Sequence, residues 1–518
     1  MLANLHNTFF SQSNIIVFLC GILLPCAFTA CSNSETVGAD VDGSAVVHCK
    51  DIDKNISPTQ EDTTTKINSL GTDVSNTEPT NKDSVYPNAA AEISTKNDST
   101  RVDSIITEPT SIYSICSPEV VSNSISEDLP LDDTEYPYAG IPRIVIETEN
   151  HQAIKDRETE VPAKLQIWGA NAPESDIMEL TIRGRGNTSW GMPKKSYKIE
   201  FTKKQEMLGM PKDKDWALIG NYADKTLMKN YLMYHLSAKL GAYYAPRCEF
   251  AELYINNEYL GVYLMTETIK IGKNRVNIPN NDNSYIVEIA ENHHQNDLVF
   301  YTHVIKTDSI GKPFRIHTPK EPSKESITEL ENYIVNFEKF LKNIEPEKEN
   351  YVSQWMDISE CIKHYWIQEF SKNPDADGWS SLYFTWEKDG LIRMGPVWDF
   401  DLAFGSHNYE SINKTDKWYI KSGYWHSYIF KDSVSNHFRI DYWSKNKLKF
   451  TNTITIIDSI SNLLQGAAKN NFKKWEILQS TTYTYHRHAY NTYEDAVEDL
   501  KNWINERTQW IDKEVSSL

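Results

Sequence analysis

Residues 372–405, KNPDADGWSSLYFTWEKDGLIRMGPVWDFDLAFG, constrain the fold more than any other stretch of the chain. Asp389-Gly390 between two apolar-rich runs is a strong short-range hairpin signal, and it predicts strands from Ser381 to Trp386 and from Leu391 to Val397. The two ends of a hairpin lie side by side. Asp375 or Asp377 at the entrance therefore approaches Asp399 and Asp401 at the exit. Carboxylates brought this close repel unless a cation or a shifted pKa relieves them. The layout is that of a divalent-metal site, and its order is the one kinase-type phosphoryl transfer uses: a loop Asp that orients the attacking hydroxyl, then a later Asp that holds magnesium. Spacing alone leaves two other readings open. One is solvated turn chemistry, in which Asp and Gly serve the backbone; the other is calcium bound by loop oxygens.

The 518 residues have room for two or three domains. A formal net charge of -19 argues against nucleic acid as the main partner, because neutralising phosphates needs a basic face. Ile15 to Ala30 is an apolar run of signal-peptide length, too short for a membrane span. It ends in Phe28-Thr29-Ala30-Cys31, which resembles a bacterial lipobox although Phe stands at its first position and no Lys or Arg precedes the run. The expectation is residues 1–30 as signal peptide and Cys31 as the lipidated N-terminus, with attachment to the membrane through acyl chains. A plain cleaved signal peptide is the competing reading. Cys248 and Cys361, two of the seven cysteines, read as buried thiols, and no CxxC or other zinc-ligand spacing occurs.

Residues 31–135 are dominated by Ser, Thr, Asn, Asp and Glu without a sustained period of 2 or 3.6. They read as a disordered tether. Order is expected near Ile141, with short strands at Ile144, Leu165 and Leu180. Lys195 to Phe201 alternates, Tyr197, Ile199 and Phe201 on one face and Ser196, Lys198 and Glu200 on the other. Lys198 is thus either an ordinary exposed lysine or a phosphate partner in a cleft. Asp224 caps a helix with Leu227, Met228, Leu232, Leu236 and Leu240 at helical spacing, ended by Gly241. That helix holds no Glu, so a conventional kinase Lys-Glu pair cannot come from it. Strands follow at Glu249 to Ile255, Tyr259 to Thr266 and Tyr285 to Ile289. This makes 136–290 a mostly antiparallel, sheet-rich block with one helix. The block 291–518 reads as mainly helical: Ile327 to Leu341, then a helix begun by an Asp357/Glu360 capping box, and a final helix with Trp503 and Trp510 seven apart. Most of the 14 Trp read as core. Trp398, beside the acids, stays open.

RGRGNTSW with PKKSYKIEF, LGMPKDKDWALIGNYADKTLMKN, INNEYLGVYLMTE and GPVWDFDLAFG occur in the order found in the spore coat protein H (CotH) kinase family, which the chain resembles over residues 137–515, in a lipoprotein branch like that of Bacteroidetes. The resemblance implies an α+β, atypical protein-kinase-like two-lobe fold, with a sheet-rich N-lobe, a helical C-lobe and ATP between them. It implies transfer of the ATP γ-phosphoryl to protein Ser or Thr with Mg²⁺ or Mn²⁺. By position, Asp375 is the expected base with Asp377 as its alternative, and Asp399 and Asp401 are the expected metal ligands. Lys198 is the expected phosphate contact, Arg183, Arg185 and Asn187 line the same cleft, and Glu267 either touches nucleotide or satisfies backbone groups. The expected location is the cell envelope, outside the compartment that makes ATP. That gives one alternative, a non-catalytic surface module binding polysaccharide or protein, since fold does not fix function; a second is nucleotidyl transfer to protein, which uses the same metal and phosphate groups.

Overall fold

The computed structural model describes residues 128–291, 293 and 296–518, and these form one compact unit. The signal peptide, Cys31 and most of the tether lie outside the described residues. Order begins earlier than Ile141: Leu129 is buried against Val145, Tyr254 and Tyr259, and Leu131 and Tyr136 pack beside it. These apolar residues have no period, so only their partners reveal them.

Seven strands close into a barrel: β1 Arg143–Thr148, β2 Val161–Trp168, β3 Met178–Arg185, β4 Ser196–Met207, β5 Met210–Ile219, β6 Cys248–Ile255 and β7 Glu258–Glu267. Their order is β1-β2-β3-β4-β5-β7-β6. The neighbours pair antiparallel except where β1 meets β6 in parallel, Ile144 opposite Leu253, and that pairing closes the barrel. The mostly antiparallel sheet expected here is thus closed into a barrel, which leaves no free edge. Alternation along each strand fills the interior with Ile144, Leu165, Leu180, Ile182, Ile199, Phe201, Trp216, Leu253 and Met265. Tyr197, Ile199 and Phe201 face inward as their spacing predicts.

Between β5 and β6 comes helix α1, Lys229–Lys239, shorter than expected. Asp224 still serves its start, accepting the Lys229 N–H at 2.9 Å, but residues 224–228 are turn. Strand β8, Ser284–Ile289, does not join the barrel. It is the centre of a second, antiparallel sheet in the order β12-β11-β8-β10-β9, with β9 Val299–Thr302, β10 Lys312–Thr318, β11 Leu382–Glu387 and β12 Arg393–Met394. The region after residue 290 is thus sheet and helix together, because the predicted hairpin (β11 and β12) needs β8 and β10 to bury its apolar face.

The helices of this part are α2 Lys324–Lys342, α3 Ile358–Ser371, α4 Ser433–Thr451, α5 Thr453–Lys474 and α6 Tyr493–Ser516. Asp357 caps α3 through the Glu360 N–H at 3.1 Å. The Glu360 carboxylate does not return the bond; it accepts from the Tyr243 N–H and Lys363 instead. A complete capping box is formed by Thr492 and Asp495 on α6. Helix α5 lies against the barrel, where Asn471 accepts from the Val262 N–H at 3.1 Å and from Lys194 at 2.7 Å. Cys248 and Cys361 are buried free thiols. No helix among the described residues is long and apolar enough to cross a membrane.

Candidate active site

Helix α3 ends where Lys372 turns left-handed, φ 45°, and its ammonium runs into the carbonyls of Ser411, Lys414 and Asp416. Asn373 then opens a single 3-10 turn, Pro374–Asp377, by accepting the Asp375 N–H at 3.3 Å. The hairpin follows and returns to Trp398, Asp399, Phe400 and Asp401. Asp399 itself is left-handed, φ 66°, a conformation Asp tolerates better than most residues. The Asn373 amide donates to the Asp399 carbonyl at 3.0 Å, so the entrance and exit of the hairpin are bonded together.

Asp375, Asp399 and Asp401 converge here, as the hairpin geometry predicts. Burial and the charge of Asp399 push the Asp375 carboxyl up to about 7, against the pull of the Ser380 hydroxyl. Asp401 is also pushed well up from the usual carboxylate range, by burial first, then by the charges of Asp399 and Asp375 and a hydrogen bond to Asp399. The Ser381 hydroxyl donates to Asp399 Oδ2 at 3.4 Å. Asp377 stands apart. Its carboxyl is raised to about 6 by burial, Lys312 opposes that, and Glu369 adds to it, with no contribution from Asp375, Asp399 or Asp401.

These shifts have a stability consequence. A carboxyl raised from its unfolded value to about 7 stabilises the fold fully below about pH 4, and that contribution is lost as pH rises through 7. Buried His364 and His426, held low by burial, push the other way below about pH 6.5. The clean readout is therefore a difference. In metal-free protein, the stability of Asp375→Asn relative to wild type should grow between about pH 4 and 7 and level off above, measured by urea unfolding. A pH-independent difference would contradict the buried, charge-coupled environment.

Of the barrel residues expected at the cleft, Arg185 alone reaches the acids. Its guanidinium lies 5.1 Å from the centre of the Trp398 ring and is coupled to the Asp399 charge. No hydrogen-bond acceptor engages it among the described residues. Trp398 is buried, stacked on Tyr234 of α1 with ring centres 5.7 Å apart. The other expected partners are occupied. Lys198 is paired with Glu200 at 2.9 Å and Asp215 at 3.0 Å. Arg183 donates to the Arg157 and Gly184 carbonyls, and Arg157 donates to Asn187 at 2.8 Å, which ties this motif to the loop before β2. Glu267 is fully buried and holds Arg275, Arg247 and the Tyr244 hydroxyl, a structural hub at the end of β7.

Four residues that the sequence reading passed over complete the neighbourhood. His317 on β10 is buried and feels the charges of Lys320, Arg315 and Arg185, and Arg315 is itself paired with Glu288 and Asp297. Lys320 faces Arg315, Lys198 and Arg183. Trp379, beside the acidic turn, is 42% exposed. For Arg315 and His317 the signal would have been strand β10, whose period is hidden by Lys312 and Pro313 at its start.

A sequence model of the family described as "CotH: CotH kinase protein" matches residues 182–511. This span holds β4 through most of α6 and every charged residue of the site. No curated protein matches the chain.

Proposed function

The chain belongs to the CotH kinase protein family, and from that premise we propose that it transfers the γ-phosphoryl group of ATP to Ser or Thr hydroxyls of protein, with a divalent cation, at the acids of the hairpin. The observation that carries this reading is the convergence of Asp375, Asp399 and Asp401 opposite the Arg185 guanidinium. In this reading the barrel takes the part of the sheet-rich lobe and the α2–α6 region, with its second sheet, that of the helical lobe.

Among the described residues no group of three His, Cys, Asp or Glu side chains is arranged to hold a metal. Magnesium rarely needs one, since it is commonly held by one or two carboxylates, waters and substrate phosphates. Asp399 and Asp401, the latter with its carboxyl raised by burial and by the Asp399 charge beside it, fit that donor set. When bound there, the cation would neutralise charge on the transferring phosphates. Arg185 is poised to donate to a phosphate oxygen. Asp375, with its carboxyl near 7, is matched to accept the proton of the attacking hydroxyl as the new O–P bond forms and ADP leaves.

The lipobox-like Cys31 and the signal-length run before it support an extracytoplasmic lipoprotein, anchored in the cell envelope by acyl chains. The test is incorporation of label from γ-labelled and, separately, α-labelled ATP into protein with magnesium or manganese. Label from the γ position alone is the expected result. Label from the α position would replace this reading with nucleotidyl transfer, and no label with no cation-dependent ATP binding would leave a surface-binding module.

A further inference from the structure

The peptide unit between Asp399 and Phe400 is held from both edges. Its carbonyl accepts from Asn373 Nδ2 at 3.0 Å, and its N–H donates to Asn230 Oδ1 at 2.8 Å. Asn373 sits in the turn that carries Asp375; Asn230 sits in the first turn of α1. Both asparagines are buried, and each is oriented by a further buried amide. Asn373 Nδ2 also donates to Gln368 Oε1 at 3.0 Å. Asn230 Nδ2 points to Asn221 Oδ1 at 3.4 Å, and Asn221 in turn donates to the Leu227 carbonyl.

We infer that Asn230 and Asn373 clamp the Asp399–Phe400 peptide as a pair of positioning residues, fixing the direction of the Asp399 carboxylate; this rests on the phosphoryl-transfer reading of the site. Asp399 is left-handed, and such conformations persist where the surroundings over-determine them. Flipping this peptide, a change in ψ of Asp399 and φ of Phe400, would turn the carbonyl toward the Asn230 oxygen and the N–H toward the Asn373 amide. Both contacts would become like against like, with a buried donor and acceptor left unmade. The clamp therefore selects one of two peptide orientations, and with it the position of the carboxylate beside Asp375 and Ser381. It also makes Asp399 depend on two elements at once, α1 and the α3-to-hairpin turn. Lys229, the neighbour of Asn230, reinforces the α1 side by donating to the Ala403 carbonyl at 3.0 Å and to the Ser406 hydroxyl.

Because both asparagines hold one peptide, their loss should be non-additive. Asn230→Ala and Asn373→Ala should each lower kcat by about tenfold or more, the double variant should fall no further than the worse single one, and KM for the acceptor should stay within about twofold. A second readout needs no activity. Amide exchange of residues 398–404 should accelerate in each alanine variant and in the double variant alike. Asn230→Asp, which keeps the accepting oxygen, should retain protection, whereas Asn373→Asp, which lacks the donor, should lose it. Multiplicative losses in kcat, or unchanged exchange in 398–404, would overturn the clamp. If wild type transfers no phosphoryl group while exchange follows the pattern above, the clamp stands and the proposed function falls.

Discussion

Replacing Asp399 by Asn should reduce phosphoryl transfer by roughly 10³-fold or more, because it removes the charged ligand best placed for the cation that neutralises the transferring phosphates. The side chains are nearly isosteric. Asn keeps an acceptor for the Ser381 hydroxyl, and Asp399 makes its clamp contacts through backbone atoms, so the fold should be retained. Asp375→Asn should cost about 10²–10⁴-fold, the usual worth of a general base. The two losses should differ in kind. Asp399→Asn weakens cation-dependent ATP binding, whereas Asp375→Asn leaves it intact and lowers kcat alone. Wild-type kcat/KM should rise with pH up to about 7, where Asp375 becomes the carboxylate, and a bound cation should move that limb to lower pH by favouring the ionised form. Parallel losses in Asp377→Asn, whose carboxyl faces Lys312 and Glu369 rather than the other acids, would show that the wrong turn residue has been assigned. An Asp399→Asn protein with wild-type turnover would remove the site itself from consideration.

Arg507→Ala should destabilise the protein by about 3–5 kcal/mol, the cost of leaving a buried carboxylate without its cation. Arg507 on α6 and Glu369 in the last turn of α3 are both fully buried and meet at 2.6 Å. Arg507 also donates to the Thr415 and Lys417 carbonyls at 2.8 Å each, and Glu369 accepts the N–H groups of Tyr419 at 2.9 Å and Lys421 at 2.8 Å. A matched apolar replacement of both residues should therefore not restore stability, although it often does for a simple buried pair. Here it would orphan two amides and two carbonyls. The pair joins the final helix to the turn that carries Asp375, so the damage should reach activity as well. The check is urea unfolding at constant slope. A loss below about 1 kcal/mol would place this pair with ordinary surface ion pairs.

Local signals in the chain were sufficient for the hairpin. Asp389-Gly390 supplies the turn with Asp389 left-handed, φ 64°, and β11 pairs with β12. The second strand is only Arg393–Met394 and not the expected Leu391 to Val397, because Pro396 has no N–H to continue the ladder. The same local logic located the Asp357 cap, the inward face of β4 and the approach of Asp375 to Asp399. It did not separate Asp375 from Asp377, because two residues apart in a tight turn are equivalent until the surroundings are known. The Asp399 charge beside it distinguishes the first; the second is influenced by Lys312 and Glu369 instead.

Sequence by itself determined what depends on neighbours along the chain: turn chemistry, strand alternation, helix caps and the family motifs. Tertiary structure alone decided what depends on partners distant in sequence. The parallel pairing of β1 with β6 closes the barrel across roughly a hundred residues, and periodicity names a buried face without naming what covers it. The same limit applies to charge. A lysine such as Lys198 on a half-buried strand reads as available until Asp215 on the next strand is seen to take it, and Arg185 reads as one of several cations until the others are found occupied. Asn230 and Asn373 are 143 residues apart and unremarkable in composition; their role exists only because folding brings both to one peptide bond, where buried amides must find partners.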